Sequence, residues 1–266
     1  MMNLDRPSEN LRLTDIEYMI LREQILETEG CSLGSLRDPS RWTSLPFPSL
    51  FCQLPLDRFS LNPDGTFRFM GREIFAEVYQ VVSNMSRRTG KIYSLQGSSG
   101  TGKSHILAAL ACLLVKEGKR VVYLPNAKVL AAMMVVYTKE ALKLTYADDE
   151  ELFRRIQGFS LTVEVLQFIQ EREEQGEELY IICGQMDTLR RFPDTADANG
   201  PRVQDEALTS ILQLSMWHNF IWSASGNCWA SSDTALQTSG ARHLLLRQGY
   251  NRVCSSRFVE IMSHSF

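Results

Sequence analysis

The chain has 266 residues, a formal net charge of −3 and 44% hydrophobic residues, enough apolar material for a sizeable core in one large domain. That charge balance leaves no general footprint for nucleic acid, which needs clustered Lys and Arg, so a nucleic-acid partner is not supported. The six cysteines are scattered without a CxxC pair or zinc-ligand spacing, and no apolar run reaches the roughly 18 residues that span a bilayer; with no signal-peptide start, the expectation is an intracellular protein, cytoplasmic or nuclear, away from membranes.

In chain order, residues 1–10 are polar, and Thr14-Asp15-Ile16-Glu17 has the form of a capping box that opens a helix to about Glu29, stopped by Gly30. Ile16, Ile20, Leu21 and Ile25 fall on one helical face, which is expected to pack on a core. Residues 31–68, rich in Pro, Ser and Arg, read as a connecting arm, so residues 1–68 form a helical N-terminal extension and 69–266 the core. A helix is predicted from Arg72 to Arg87 and a short strand over Lys91 to Gln96. The segment Ser104 to Lys116 is apolar nearly all round and should be a buried helix, with Gly118 as its C-cap. Val121 to Leu124 reads as a strand closed by Pro125, followed by helical patterns at about 127–144 and 148–172. The charged run Glu171 to Glu178 reads as a solvated helix end and turn. Leu179 to Cys183 is an uninterrupted apolar run, as expected for a central strand covered on both faces. A polar loop at 192–204, a helix around 205–216 and a strand over Phe220 to Ser225 complete the pattern. The alternation of strand and helix predicts an α/β fold with a mostly parallel sheet and helices on both faces.

The chemistry concentrates at Gly97-Ser98-Ser99-Gly100-Thr101-Gly102-Lys103-Ser104, which fits the eight-residue phosphate-loop pattern between a strand and a helix. Glycines let the backbone curl so that successive N–H groups converge on phosphate oxygens, and the helix N-terminus adds partial positive charge. In this pattern Gly97, Ser98, Ser99, Gly100, Thr101 and Gly102 cradle phosphate, Lys103 reaches the terminal phosphates, and Ser104 places its hydroxyl on Mg²⁺. The expected ligand is Mg-ATP.

Such a site also needs a carboxylate at the end of an apolar strand to hold the metal from the far side. After Leu179 to Cys183 that position is Gly184, and the next acid is Asp187, which either reaches the metal through water or caps the following turn. The residue that would activate water is Gln185, which orients water but cannot take its proton at neutral pH. Ser223, Ser225 and Asn227 are candidates for contacting the terminal phosphate or the attacking water, although Asn227 also reads as a turn residue after Gly226.

Phe69-Met70-Gly71-Arg72-Glu73, upstream of the loop, resembles the Gly-Arg-Glu box that lies against adenine in STAND and origin-recognition-like AAA+ ATPases. The longer pattern from Met70-Gly71-Arg72 through Gly102-Lys103-Ser104-His105-Ile106-Leu107 and Gly118-Lys119-Arg120 to Pro125, with Ser223-Ala224-Ser225, resembles the P-loop ATPase module of fungal Crinkler-type proteins over roughly residues 65–265. The resemblance implies an adenine-side role for Gly71 and Arg72, a P-loop NTPase fold, and hydrolysis of the β–γ bond. In that family the apolar strand runs into Asp-Gln, whereas this chain has Gly184-Gln185-Met186-Asp187, so turnover is expected to be slow. The family also carries a translocation header and a C-terminal effector part, which these residues do not match; secretion as an effector follows from the resemblance alone.

The preferred reading is an ATPase with an impaired metal-acid position. One alternative is a nucleotide-gated module that engages a protein partner or itself without turnover. The other is a small-molecule kinase using Arg190, Arg191, Arg242 and Arg247 as a lid. The absence of an Asn-Lys-x-Asp run argues against a GTPase.

Overall fold

The computed structural model describes residues 15–51, 59–85, 92–98, 100–186, 210, 213–215 and 217–225, with the backbone alone at Ser225 and at 244–248. Its centre is a sheet in the order β4 (Arg120–Leu124), β5 (Leu179–Cys183), β6 (Asn219–Ser225), β3 (Ile92–Gly97), β7 (Leu244–Gln248). The first four strands run parallel, and β7 pairs antiparallel with β3 along one edge. β5 is buried and apolar at every position, and β6 buries Ile221 on one face and Phe220, Trp222 and Ala224 on the other, as helices on both faces require.

One face carries α1 (Asp15–Glu27), α3 (Glu73–Ser83) and α4 (Lys103–Lys116), packed on Leu95, Tyr180, Ile182 and Ile221. The other carries α5 (Ala127–Ala132), α6 (Met134–Thr145) and α8 (Thr162–Glu174), packed on Leu124, Ile181, Cys183 and Phe220. α7 (Glu150–Gln157) closes the end beside α6.

The structure departs from the sequence expectations in several places. Residues 31–68, expected to be a connecting arm, carry α2 (Leu33–Arg37), β1 (Trp42–Pro46) and the start of β2 (Thr66–Met70). β1 and β2 pair antiparallel, and Leu45, Phe67 and Phe69 enter the same apolar cluster as α4. The helix expected over 72–87 spans Glu73–Ser83. The pattern at 127–144 breaks at Met133, whose φ of −142° and ψ of 46° are not helical. The pattern at 148–172 breaks into α7 and α8, because Glu164 accepts from the Ser160 and Leu161 N–H groups at 2.7 and 2.8 Å and starts a new helix there. α1 buries Tyr18, Leu21, Arg22 and Ile25, while Ile16 and Ile20 are 64% and 47% exposed. Tertiary partners turn that face: Arg22 pairs with Asp148 at 3.0 Å and Tyr18 packs edge-on to Phe153. Gly118 does end α4, at φ +77°. Helical backbone occurs at 210 and 213–215, within the expected helix, and at 217, one residue past its expected end. Thr14, the loop at 192–204, Arg190, Arg191 and Arg242 lie outside the described residues.

Candidate functional site

β3 brings the chain to Gly97, which stands in register with Ser225 of β6. Gly100 and Gly102 then take φ of +79° and +80°, a left-handed conformation that side chains resist, and the reversal opens α4 directly at Lys103. The Thr101 hydroxyl donates to the Ser98 carbonyl at 2.9 Å and closes the curl. α4 is buried on every side between the sheet and the N-terminal elements, so its first turn is held by packing.

Lys103 is only 7% exposed. Its ammonium donates to the Gly97 and Ser98 carbonyls at 2.7 and 2.8 Å and approaches the Thr101 hydroxyl at 3.4 Å. A charge this buried needs such oxygens, and an incoming anion would compete with the two carbonyls for it. Ser104 is half-buried on the first turn of the same helix. Beside it, His105 stacks on Phe59 with ring centroids 4.6 Å apart. Burial, and then the nearby Arg72 charge, push the His105 pKa below its usual range, disfavouring the charged ring.

Gly71 and Arg72 join the N-terminal elements to the loop. The Gly71 and Arg72 N–H groups donate to the Arg41 and Leu36 carbonyls at 3.0 and 2.9 Å. A Cβ on Gly71 would lie 2.1 Å from the Asp38 carbonyl oxygen, so close packing alone accounts for glycine there. The Arg72 guanidinium donates to the Thr101 carbonyl and lies against Gly102, where an added Cβ would meet it at 2.6 Å.

At the end of β5 the expected metal acid is replaced by a wedge. The Gly184 N–H donates to the Leu124 carbonyl at 2.9 Å, and its own carbonyl accepts from Ala127 N–H at 3.0 Å. A Cβ there would meet the Pro125 carbonyl oxygen at 2.4 Å, so the neighbouring strand end occupies the space a carboxylate would need. Gln185 follows with φ 62°, unusual for a residue with a side chain, and its N–H donates to the Ser223 hydroxyl at 3.3 Å. Both residues are buried. Cys183 is an unreactive thiol here, its pKa pushed up to about 12 by burial.

The structure therefore gathers Gly97, Ser98, Gly100, Thr101, Gly102 and Lys103 into one loop, with Ser104 at its base and Arg72 on its flank. It joins Gln185 to Ser223 at the ends of two adjacent strands and places the Ser225 backbone beside Gly97. Ser99, Asp187 and Asn227 lie outside the described residues. Among the described residues no group of three or more His, Cys, Asp or Glu is placed to hold a metal. The Ser104 hydroxyl suits Mg²⁺ as one oxygen ligand, the remainder being of the kind that phosphates and water supply. Sequence reasoning missed the Pro125 wedge and the grip of Arg72 on Thr101, because both are long-range contacts. No helix among the described residues is long and apolar enough to cross a membrane. No protein-family model matches the chain, and neither does any curated protein.

Proposed function

We propose that the chain is a P-loop NTPase module that binds Mg-ATP and hydrolyses it slowly or not at all. The observation that carries this reading is the buried Lys103 ammonium inside a curl made by two left-handed glycines, between the end of a central parallel strand and the first turn of a buried helix. That arrangement suits a triphosphate: backbone N–H groups and the helix terminus face the phosphates, and Lys103 exchanges two carbonyl partners for phosphate oxygens. The strand order supports the additional-strand class, since β6 lies between the loop strand β3 and the apolar strand β5. Ser104 would hold Mg²⁺, which neutralises charge on the phosphates.

Slow turnover follows from the other strand end. In-line attack of water needs a fixed metal and an oriented nucleophile. Gly184 supplies no carboxylate, and Gln185 with Ser223 offers only hydrogen bonds to water. The packing of Gly184 on Pro125 favours the second reading, a nucleotide-gated module that changes its protein contacts on binding ATP without turning it over. Calorimetric titration with ATP and a slowly hydrolysed analogue, beside a phosphate-release assay, tests both. Equal micromolar affinity for the two, about −8 kcal/mol, with little phosphate released is expected. No heat of binding from either nucleotide in the presence of Mg²⁺ removes the proposal, and turnover above about 1 s⁻¹ removes its slow-turnover part.

A further inference from the structure

Arg72 is half-buried, and among the described residues its guanidinium forms no ion pair. It donates a hydrogen bond to the Thr101 carbonyl, within the proposed phosphate loop. The guanidinium lies over Gly102, whose φ of +80° and missing Cβ leave it that room. At the other end its backbone is fixed twice, by its own N–H on the Leu36 carbonyl and by Gly71 pressed on Asp38. Arg72 also begins α3, with Phe75 N–H donating to its carbonyl at 2.9 Å. The side chain thus spans from the α2–β1 turn to the peptide that must present its N–H groups to an anion.

From this geometry we infer that Arg72 is a positioning residue, a strut that holds the Thr101–Gly102 peptide in its anion-ready conformation and ties the loop to the N-terminal α2–β1–β2 unit. The inference rests on reading the loop as a triphosphate site, and it gives Arg72 a task independent of the base. A guanidinium suits the task, since its planar fork binds a carbonyl while its face packs on a bare Cα. A strut acts on phosphate affinity whatever base is attached, and on loop motion before any ligand arrives. A base contact does neither.

The test compares the parent with Arg72→Gln and Arg72→Lys, each checked for an intact fold by circular dichroism. Hydrogen–deuterium exchange is followed without ligand in the peptide covering residues 97–107. Affinities are then measured for inorganic tripolyphosphate, ATP and GTP with Mg²⁺. Arg72→Gln should speed exchange in the ligand-free loop and weaken all three ligands by a common factor of about ten, the loss expected for one charge-assisted hydrogen bond. Arg72→Lys, which keeps one donor, should recover part of both effects. Unchanged exchange in the ligand-free loop overturns the strut. So does an ATP affinity that falls while tripolyphosphate and GTP are unaffected, which would make Arg72 a base contact. If the parent binds none of the three, the triphosphate reading fails, and the exchange result still decides whether Arg72 braces the loop.

Discussion

Two glycine-bearing strand ends lie on either side of β6 at the C-terminal end of the parallel strands and use glycine for opposite purposes. After β3, Gly100 and Gly102 supply backbone conformation: both lie near φ +80°, and the curl they allow surrounds the Lys103 ammonium. After β5, Gly184 supplies thinness: its φ is not in the left-handed region, and its bare Cα lets the Pro125 carbonyl close in. The first use shapes a curl around an ammonium, and the second removes room for a side chain at position 184. The same residue type therefore marks the best-equipped and the least-equipped part of the proposed site. An acid missing from position 184 is a consequence of how β4 and β5 end together, so it is not a vacancy that a substitution can simply fill.

The largest expected effect tests that last point. Gly184→Asp should destabilise the fold by about 3 kcal/mol, since the new Cβ overlaps a backbone carbonyl and the carboxylate enters a buried position. Thermal melting should register the loss, and phosphate release should not rise; a variant that melts like the parent and hydrolyses faster would make the two strand ends equivalent after all. Lys103→Ala should weaken ATP binding more than about 100-fold, or roughly 2.7 kcal/mol, by removing the charge on which the loop converges. Equal binding of a fluorescent ATP analogue to parent and variant would contradict the role assigned to the loop. The two left-handed glycines then sharpen the comparison. Gly102→Ala should cost about 2 kcal/mol, because it combines backbone strain with displacement of the Arg72 guanidinium, whereas Gly100→Ala meets no neighbour within 4 Å and should cost about 1 kcal/mol. Denaturant melts of the pair should preserve that ranking.

The smallest effect is a pH dependence. His105 has a folded pKa below the ordinary 6.5, because burial and the Arg72 charge oppose its protonation. Between 6.5 and the lower folded value the unfolded chain binds the proton and the folded chain does not, so stability falls as pH drops below about 6.5. His105→Gln should flatten that part of a melting-temperature profile; a profile with the parent's slope would show that the ring does not contribute.

What was legible in the sequence was local. The glycine spacing, the all-round apolar helix after it and the apolar run Leu179 to Cys183 each specify an element by themselves, and they appear as the loop, α4 and β5. What escaped was decided by partners far along the chain. The buried face of α1 follows from Asp148 and Phe153, and the tightness at Gly184 follows from Pro125. Residues 31–68 looked like an arm because Pro and Ser mask a short antiparallel ladder whose two strands are far apart in sequence and whose apolar side chains, Leu45, Phe67 and Phe69, span few residues. The antiparallel edge strand β7 had no counterpart in the sequence reading, since five residues without flanking periodicity give little signal.

The position of β3 in the sheet has a consequence in time. Its two partners are β6 and β7, so Ile92 waits for Phe220, and Tyr93 for Gln248. On a ribosome, the strand that ends in the glycine loop emerges long before either neighbour exists to hydrogen-bond it. β4 and β5 can pair earlier, and α1 to α4 can collapse on their own apolar faces, but the loop's anchor is finished only when the far end of the sheet has been synthesised. Contacts of such high sequence separation slow folding, because the closure entropy is incurred before the pairing is gained. A nascent chain would thus build much of its hydrophobic layers before the glycine curl around Lys103 is anchored.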